Sequence, residues 1–136
     1  MSDTVRFSVS IDSKLLNNFD TVIKEKGYQN RSKALGDLIR DFLIKEKTLR
    51  DENIAGVISI VYDHHKGDLT KLLTEIQHDY INLIISTTHI HLDHYNCLEV
   101  IIVKGKSTHI KKLSEILSSI KGIKHTDLII TTLGDI

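Results

Sequence analysis

The sequence predicts an α+β protein in two parts, a β-α-α segment over residues 1–50 and a βαββαβ unit over residues 51–136. Three observations predict it. Residues 5–11 alternate strictly between apolar and polar, the period of a strand with one buried face. Two stretches of helical period follow within the first fifty residues. Beyond residue 53, β-branched apolar runs alternate with further helical stretches, and the order is strand, helix, strand, strand, helix, strand.

In the first part, Val5, Phe7, Val9 and Ile11 share one face of the strand, and Arg6, Ser8 and Ser10 share the other. Asp12 or Ser13 offers a helix N-cap. Leu15, Leu16, Phe19, Val22 and Ile23 then recur at helical spacing until Gly27 supplies a stop. Asn30-Arg31-Ser32 opens a second helix with Leu35, Leu38, Ile39, Phe42 and Leu43 on its apolar face. A lone strand leaves its backbone groups unpaired, and no second strand lies nearby in sequence. Pairing with the same strand of a second chain solves this and predicts an intertwined dimer, a two-stranded ribbon covered by four helices. The periodicity fades over Ile44–Asn53, which is read as the end of helix two and a linker near residues 48–53.

In the second part the expected strands are 54–62, 83–92, 98–103 and 124–133, and the expected helices 67–80 and 108–120. This order is that of a ferredoxin-like split unit, a four-stranded antiparallel sheet with two helices on one face.

Composition narrows the class. An apolar fraction of 40% with 26% charged residues excludes a disordered chain. No apolar run approaches the ~20 residues that span a bilayer. Met1-Ser2-Asp3-Thr4 lacks the basic and apolar regions of a secretory signal, so a cytoplasmic location is expected. Net charge is zero, yet residues 1–50 carry ten Lys/Arg against seven Asp/Glu, and all eight histidines fall in the remainder. A mildly basic first part suits nucleic acid, and a histidine-rich second part suits metal.

The chemistry concentrates in His89-Ile90-His91-Leu92-Asp93-His94-Tyr95-Asn96-Cys97-Leu98-Glu99. On a strand, His89 and His91 project to one face. A turn at Asp93-His94-Tyr95-Asn96 brings Cys97, the single cysteine, back on the neighbouring strand. Imidazole and thiolate suit zinc, nickel or copper and not magnesium or calcium. His78, near the end of the preceding helix, is the natural fourth ligand. Spacing alone does not separate tetrahedral zinc from square-planar nickel or copper. His64 and His65, on a loop with Asp63 and Lys66, are candidates for weaker secondary metal sites.

Arg6-x-Ser8-x-Ser10, Gly27-Tyr28-x-Asn30-Arg31-Ser32, Val61-Tyr62-Asp63-His64, Gln77-His78 and His89-x-His91-x5-Cys97-Leu98-Glu99 occur in an order and at spacings that resemble the nickel-responsive transcriptional regulators, the NikR family. The resemblance runs nearly end to end. It implies a ribbon-helix-helix DNA-binding domain over 1–50 and an ACT-like metal-binding and tetramerisation domain over 51–136. It also implies a homotetramer built as a dimer of dimers, and one Ni(2+) per subunit held by His89, His91 and Cys97 of one chain and His78 of a neighbour. Glu99 matches a family residue that helps hold the ligand set by hydrogen bonding.

Arg6, Ser8 and Ser10 match positions that read base edges in the major groove of an operator with two half-sites. Asn30, Arg31 and Ser32 open helix two, where free N–H groups favour a phosphate. The implied activity is repression of nickel uptake genes, with no enzymatic role. The chain departs from the family at Lys33, where relatives usually carry a carboxylate that joins Asp37 in a second cation site; here a Lys33 ammonium paired with Asp37 is expected to take the ion's place. Gly67 replaces a common basic residue and leaves Lys66 as the nearest phosphate contact in its loop. The alternative reading is a ribbon-helix-helix regulator whose ACT-like domain senses a small molecule or another transition metal.

Overall fold

The computed structural model describes residues 3–136, which divide into two compact units, one ending at Asp41 and one running Phe42–Ile136.

The first unit holds α1 (Ser13–Glu25) and the start of α2 (Arg31–Leu49). Asp12 caps α1, its Oδ2 accepting from the Leu15 amide at 3.1 Å. The helix stops at Gly27, whose φ of 85° is a left-handed conformation that an L side chain resists. Asn30 caps α2 by accepting from the Lys33 amide at 2.9 Å. Ile23 and Ala34 are buried between the two helices, and Arg31 reaches Asp20 through two hydrogen bonds of 2.8 and 2.7 Å.

Residues 5–11 have the alternation of a strand but form none, because a strand is defined by ladder hydrogen bonds and no segment among the described residues pairs with them. Val5, Phe7 and Val9 are 80%, 67% and 62% exposed.

The second unit contains β1 (Asn53–Tyr62), α3 (Leu69–Asp79), β2 (Ile84–His91), β3 (Cys97–Lys106), α4 (Ser107–Ser119) and β4 (Ile123–Thr131). The sheet order is β2-β3-β1-β4 and every neighbouring pair is antiparallel, the expected split βαβ arrangement.

Alternation divides the sheet into two faces. Ile54, Ile58, Ile60 and Tyr62 of β1 and Cys97, Ile101 and Val103 of β3 pack under Leu69 and Leu73 of α3 and Ile110, Leu113 and Leu117 of α4. The helix spacing explains the last three: positions i, i+3 and i+7 fall on one stripe. The opposite face carries Val57, Ile102 and Ile129 side by side in register, with Ile129 64% exposed.

The expected linker is more structured than its sequence suggested. Asp51, at φ 57°, turns its carboxylate onto the start of α4, where Oδ1 accepts from the Thr108 amide at 2.9 Å and the Thr108 hydroxyl at 2.7 Å. The buried Ser107 hydroxyl donates to the Thr48 carbonyl at 2.7 Å. Isolated polar residues read as linker because these partners lie more than fifty positions away in sequence.

Candidate metal centre

The β2–β3 hairpin builds the centre. Asp93 Oδ1 accepts from the Tyr95 and Asn96 amides at 2.8 and 2.9 Å, and the Leu92 amide donates to the Asn96 carbonyl at 2.8 Å. This closes the turn predicted from Asp93-His94-Tyr95-Asn96 and sets the register His91↔Cys97 and His89↔Glu99. Residues directly opposite share a face. His89 and His91 therefore stand on the helix-covered side with Cys97 and Glu99, on the edge strand of the sheet.

Cys97 is completely buried, and two imidazoles touch its sulfur: His64 Nδ1 at 3.0 Å and His91 Nδ1 at 3.4 Å. With metal–nitrogen and metal–sulfur bonds of about 2.0 and 2.3 Å, two donors on one ion lie about 3.0–3.5 Å apart for angles between about 90° and 110°. Both separations fall in that span. Ring centres tell the same story, since His64 and His91 are 5.0 Å apart and His89 and His91 5.1 Å. The ligand atoms of His64, His91 and Cys97 all lie within 4.8 Å of one another. One thiol and imidazoles form a borderline-soft donor set, which fits nickel, copper or zinc.

Beneath these residues runs a hydrogen-bond chain. Tyr62 Oη lies 3.3 Å from His89 Nδ1 and donates to Glu99 Oε2 at 3.2 Å. Gln77 Nε2 donates to Glu99 Oε1 at 2.8 Å, and the Thr87 hydroxyl donates to Gln77 Oε1 at 3.1 Å. Burial, then the Glu99 carboxylate, pushes the Tyr62 phenol well above the ordinary tyrosine range and keeps it a donor. His64 moves the other way: burial, then the neighbouring His65 and His91 rings, holds its pKa below the usual value and favours the neutral imidazole that binds metal.

The residues singled out in the sequence are placed as follows. His91 and Cys97 meet directly; His89 stands beside His91 and against Tyr62. His78 is exposed on the last turn of α3, and among the described hydrogen bonds and ring contacts none joins it to the cluster. Glu99 is buried under His89 and holds Tyr62 and Gln77. His64 was read only as a secondary candidate, yet it touches the sulfur.

The signal was present: β1 and β3 are neighbours in this topology, Tyr62 pairs with Cys97, and His64 follows two residues later. Tyr62 and Gln77 had no separate role in the sequence reading. Arg6, Ser8 and Ser10 are exposed, Asn30 caps α2, Arg31 is engaged by Asp20, and Ser32 is exposed in the first turn of α2. Lys33 Nζ lies 2.8 Å from Asp37 Oδ1. Lys66 lies in the β1–α3 loop, its amide donating to the Asp63 carbonyl at 3.1 Å. No helix among the described residues is long and apolar enough to cross a membrane.

A βαββαβ sheet that gathers one buried thiol and several imidazoles at an edge hairpin defines a metal-binding module. The family described as the NikR C-terminal nickel binding domain matches residues 55–131. Over 133 residues the chain is 53% identical to a protein of Pyrococcus abyssi named "Putative nickel-responsive regulator", covering 97% of this chain and 96% of that one. A protein of the same name from Syntrophus aciditrophicus is 52% identical over 136 residues, covering 100% and 99%. A third, from Geobacter sulfurreducens, is 50% identical, covering 99% and 98%. A solved structure of an uncharacterized protein of Thermotoga maritima shares the fold alone, with a TM-score of 0.53, 16% identity, and 58% of this chain and 98% of that one covered. The chain belongs to the NikR family. Its relatives are named as regulators, not enzymes.

Proposed function

We propose that this chain is a nickel-responsive, DNA-binding repressor whose operator affinity rises when Ni(2+) occupies the hairpin site. The observation that carries the reading is the enclosed Cys97 sulfur with the His91 nitrogen at 3.4 Å, in a chain matched by a nickel-binding domain. His89, His91 and Cys97 of one subunit, with His78 of a neighbour, would hold the ion. Nickel, when bound, supplies coordination bonds that join donors from two chains.

The chain's own residues do the rest. Tyr62 and Glu99 orient His89, and Gln77 carries that network into the turn of α3 next to His78. Fixing the end of α3 restricts how two subunits sit, and a ligand shifts such an equilibrium by its preference for one arrangement. A coupling of ~1–3 kcal/mol tightens operator binding roughly 5- to 150-fold.

DNA binding rests on residues 1–50 as a ribbon-helix-helix domain. Val5, Phe7, Val9 and Ile11, with Leu16, Phe19, Leu35 and Ile39, line an apolar groove of about 850 Å³. A second copy of residues 5–11 paired antiparallel would satisfy the backbone and cover this surface. Arg6, Ser8 and Ser10 would then share one outward face of a two-stranded ribbon, a shape the major groove admits. The exposed sheet face around Val57, Ile102 and Ile129 supports association of the ACT-like domains into a homotetramer, a dimer of dimers.

A second reading follows from His64. Held 3.0 Å from the thiol, it completes a set of His64, His91 and Cys97 within one chain, which needs no neighbour and leaves α3 free. A mobility-shift titration with nickel, zinc, copper or no metal decides between them. Nickel should retard the operator with wild type and fail with Cys97→Ala. If His78→Ala retains the nickel response and His64→Ala loses it, the single-chain set is the responsive one. An unaltered response in Cys97→Ala would overturn both.

A further inference from the structure

β4 carries an irregularity at the end of the sheet that holds Cys97. Val61 pairs with His125, but Tyr62 pairs with Ile123, so Lys124 is an extra residue with no partner on β1. This is a β-bulge, which bends a strand and re-aims the side chain it displaces. Strict alternation from Ile130 and Leu128, which pack against the core, would put Lys124 on the helix-covered side opposite Tyr62. Burying an unpaired ammonium there would be costly. The bulge gives the inward place to Ile123, which packs against the core, and leaves Lys124 exposed.

The re-aimed ammonium reaches the β2–β3 hairpin. Lys124 Nζ donates to Asn96 Oδ1, although β1 stands between β4 and β3 in the sheet. Asn96 is the residue on which the turn closes. Its Nδ2 donates to both Asp93 oxygens at 3.0 Å, its amide donates to Asp93 Oδ1 at 2.9 Å, and its carbonyl accepts from the Leu92 amide at 2.8 Å. Lys124 takes the acceptor that remains. It is the one partner of Asn96 from outside the hairpin among the described hydrogen bonds. Cys97 follows Asn96 directly, and His91 directly precedes Leu92. Lys121 provides a contrast. It lies just before β4, and its side chain makes no hydrogen bond among those described.

We propose that Lys124 is a positioning residue for the metal centre, a latch from β4 that holds the β2–β3 turn so that His91 and Cys97 stand ready before the ion arrives. The proposal rests on the reading of the Cys97 site as the nickel site. β2 is an edge strand, paired on one side only, and such a hairpin is prone to open. Ordering it at the moment of binding subtracts from affinity, and a contact that orders it beforehand removes that cost. The latch works through Asn96 and touches no proposed ligand. Its charge is exposed and screened by salt, so its repulsion of an incoming cation is small beside the ordering it supplies.

Two substitutions test it. Lys124→Met keeps the alkyl stem and removes the donor, and Lys124→Arg returns a donor. In the full chain without metal, hydrogen exchange at the Leu92 amide, followed by NMR, reads opening of the turn. Exchange should be about 3- to 10-fold faster in Lys124→Met, the effect of one partly exposed hydrogen bond, and should return to the wild-type rate in Lys124→Arg. Nickel affinity, read by competition with a chelator, should fall by a similar factor and be restored likewise. Asn96→Ala also removes the bonds to Asp93 and should do more, but adding Lys124→Met to it should change nothing further, because the lysine acts through that one contact. Lys121→Met should leave both readings at wild type. Because Lys124 is exposed, its variants should retain the fold, verified by an unchanged far-ultraviolet spectrum. If wild type takes up no nickel at Cys97, the nickel reading fails while the exchange comparison still decides the latch. Unchanged exchange in Lys124→Met, no restoration by Lys124→Arg, or a further acceleration on top of Asn96→Ala overturns the proposal. Faster exchange with unchanged nickel affinity overturns it too, since Lys124 would then be a structural contact alone.

Discussion

Gln77 donates to Glu99 across 2.8 Å, joining the last turn of α3 to the strand that begins with the buried cysteine. Glu99 is only 7% exposed, so its two oxygens must be satisfied from within, by Gln77 on one side and Tyr62 on the other. Gln77→Ala removes one of these donors and also frees Thr87. Nickel affinity should fall by about 10-fold or more, as is usual when a group behind the ligands is lost. Competition against a chelator of known affinity reads this, and an unchanged dissociation constant would show that α3 is not tied to the site through Glu99.

The stability of the carboxy-terminal unit should depend on pH through Asp51. Hydrogen bonds from the Thr108 amide, then the Thr108 hydroxyl, hold its carboxyl below the ordinary range. A depressed folded-state value means the unfolded chain takes up the proton first. The stabilisation is therefore complete above the pKa of an unfolded aspartate, about 3.9, and disappears as pH falls through the lower folded value. Urea midpoints at pH 7 should be lower for Asp51→Ala than for wild type, and the two should converge toward pH 2. Parallel curves at all pH values would contradict this.

Leu117 is completely buried among Ile110, Leu113 and the β1 and β3 side chains. Leu117→Ala should cost about 2–5 kcal/mol, the range for a truncated leucine in a core that cannot fully collapse. Urea unfolding of the apoprotein followed by far-ultraviolet dichroism would measure it. A loss below about 1 kcal/mol would mean that α4 packs more loosely than its burial indicates.

Lys33 bears on ion dependence. Its ammonium reaches Asp37 at 2.8 Å, and Tyr28 donates to the other Asp37 oxygen at 2.9 Å. Operator binding at constant ionic strength should therefore change little when potassium replaces a bulky quaternary ammonium ion. Lys33→Glu places two carboxylates together and should create a potassium dependence on the order of 5-fold or more. A strong potassium requirement in wild type, abolished in Asp37→Ala, would show that the ammonium does not substitute for an ion.

Most of the carboxy-terminal architecture was legible in the sequence because its order is written in periods of two and 3.6. The β2–β3 turn was legible too, since Asp93 is a residue whose side chain bonds nearby backbone, here the Tyr95 and Asn96 amides. Residues 5–11 are different. Their pattern is that of a strand, but the hydrogen bonds that define one are not made with any other described residue, so the pattern and the structure diverge there. His64 was underread for another reason. Its neighbourhood is set by the pairing of Tyr62 with Cys97, a contact between strands far apart in sequence. His78 stands where local periodicity put it, at the end of a helix, and the metal role proposed for it rests on the family resemblance.

The complete enclosure of Cys97 has a chemical consequence. With the sulfur fully enclosed, an alkylating reagent reaches it only when the strands around it open. Its slow labelling would serve as a clock for breathing of the hairpin.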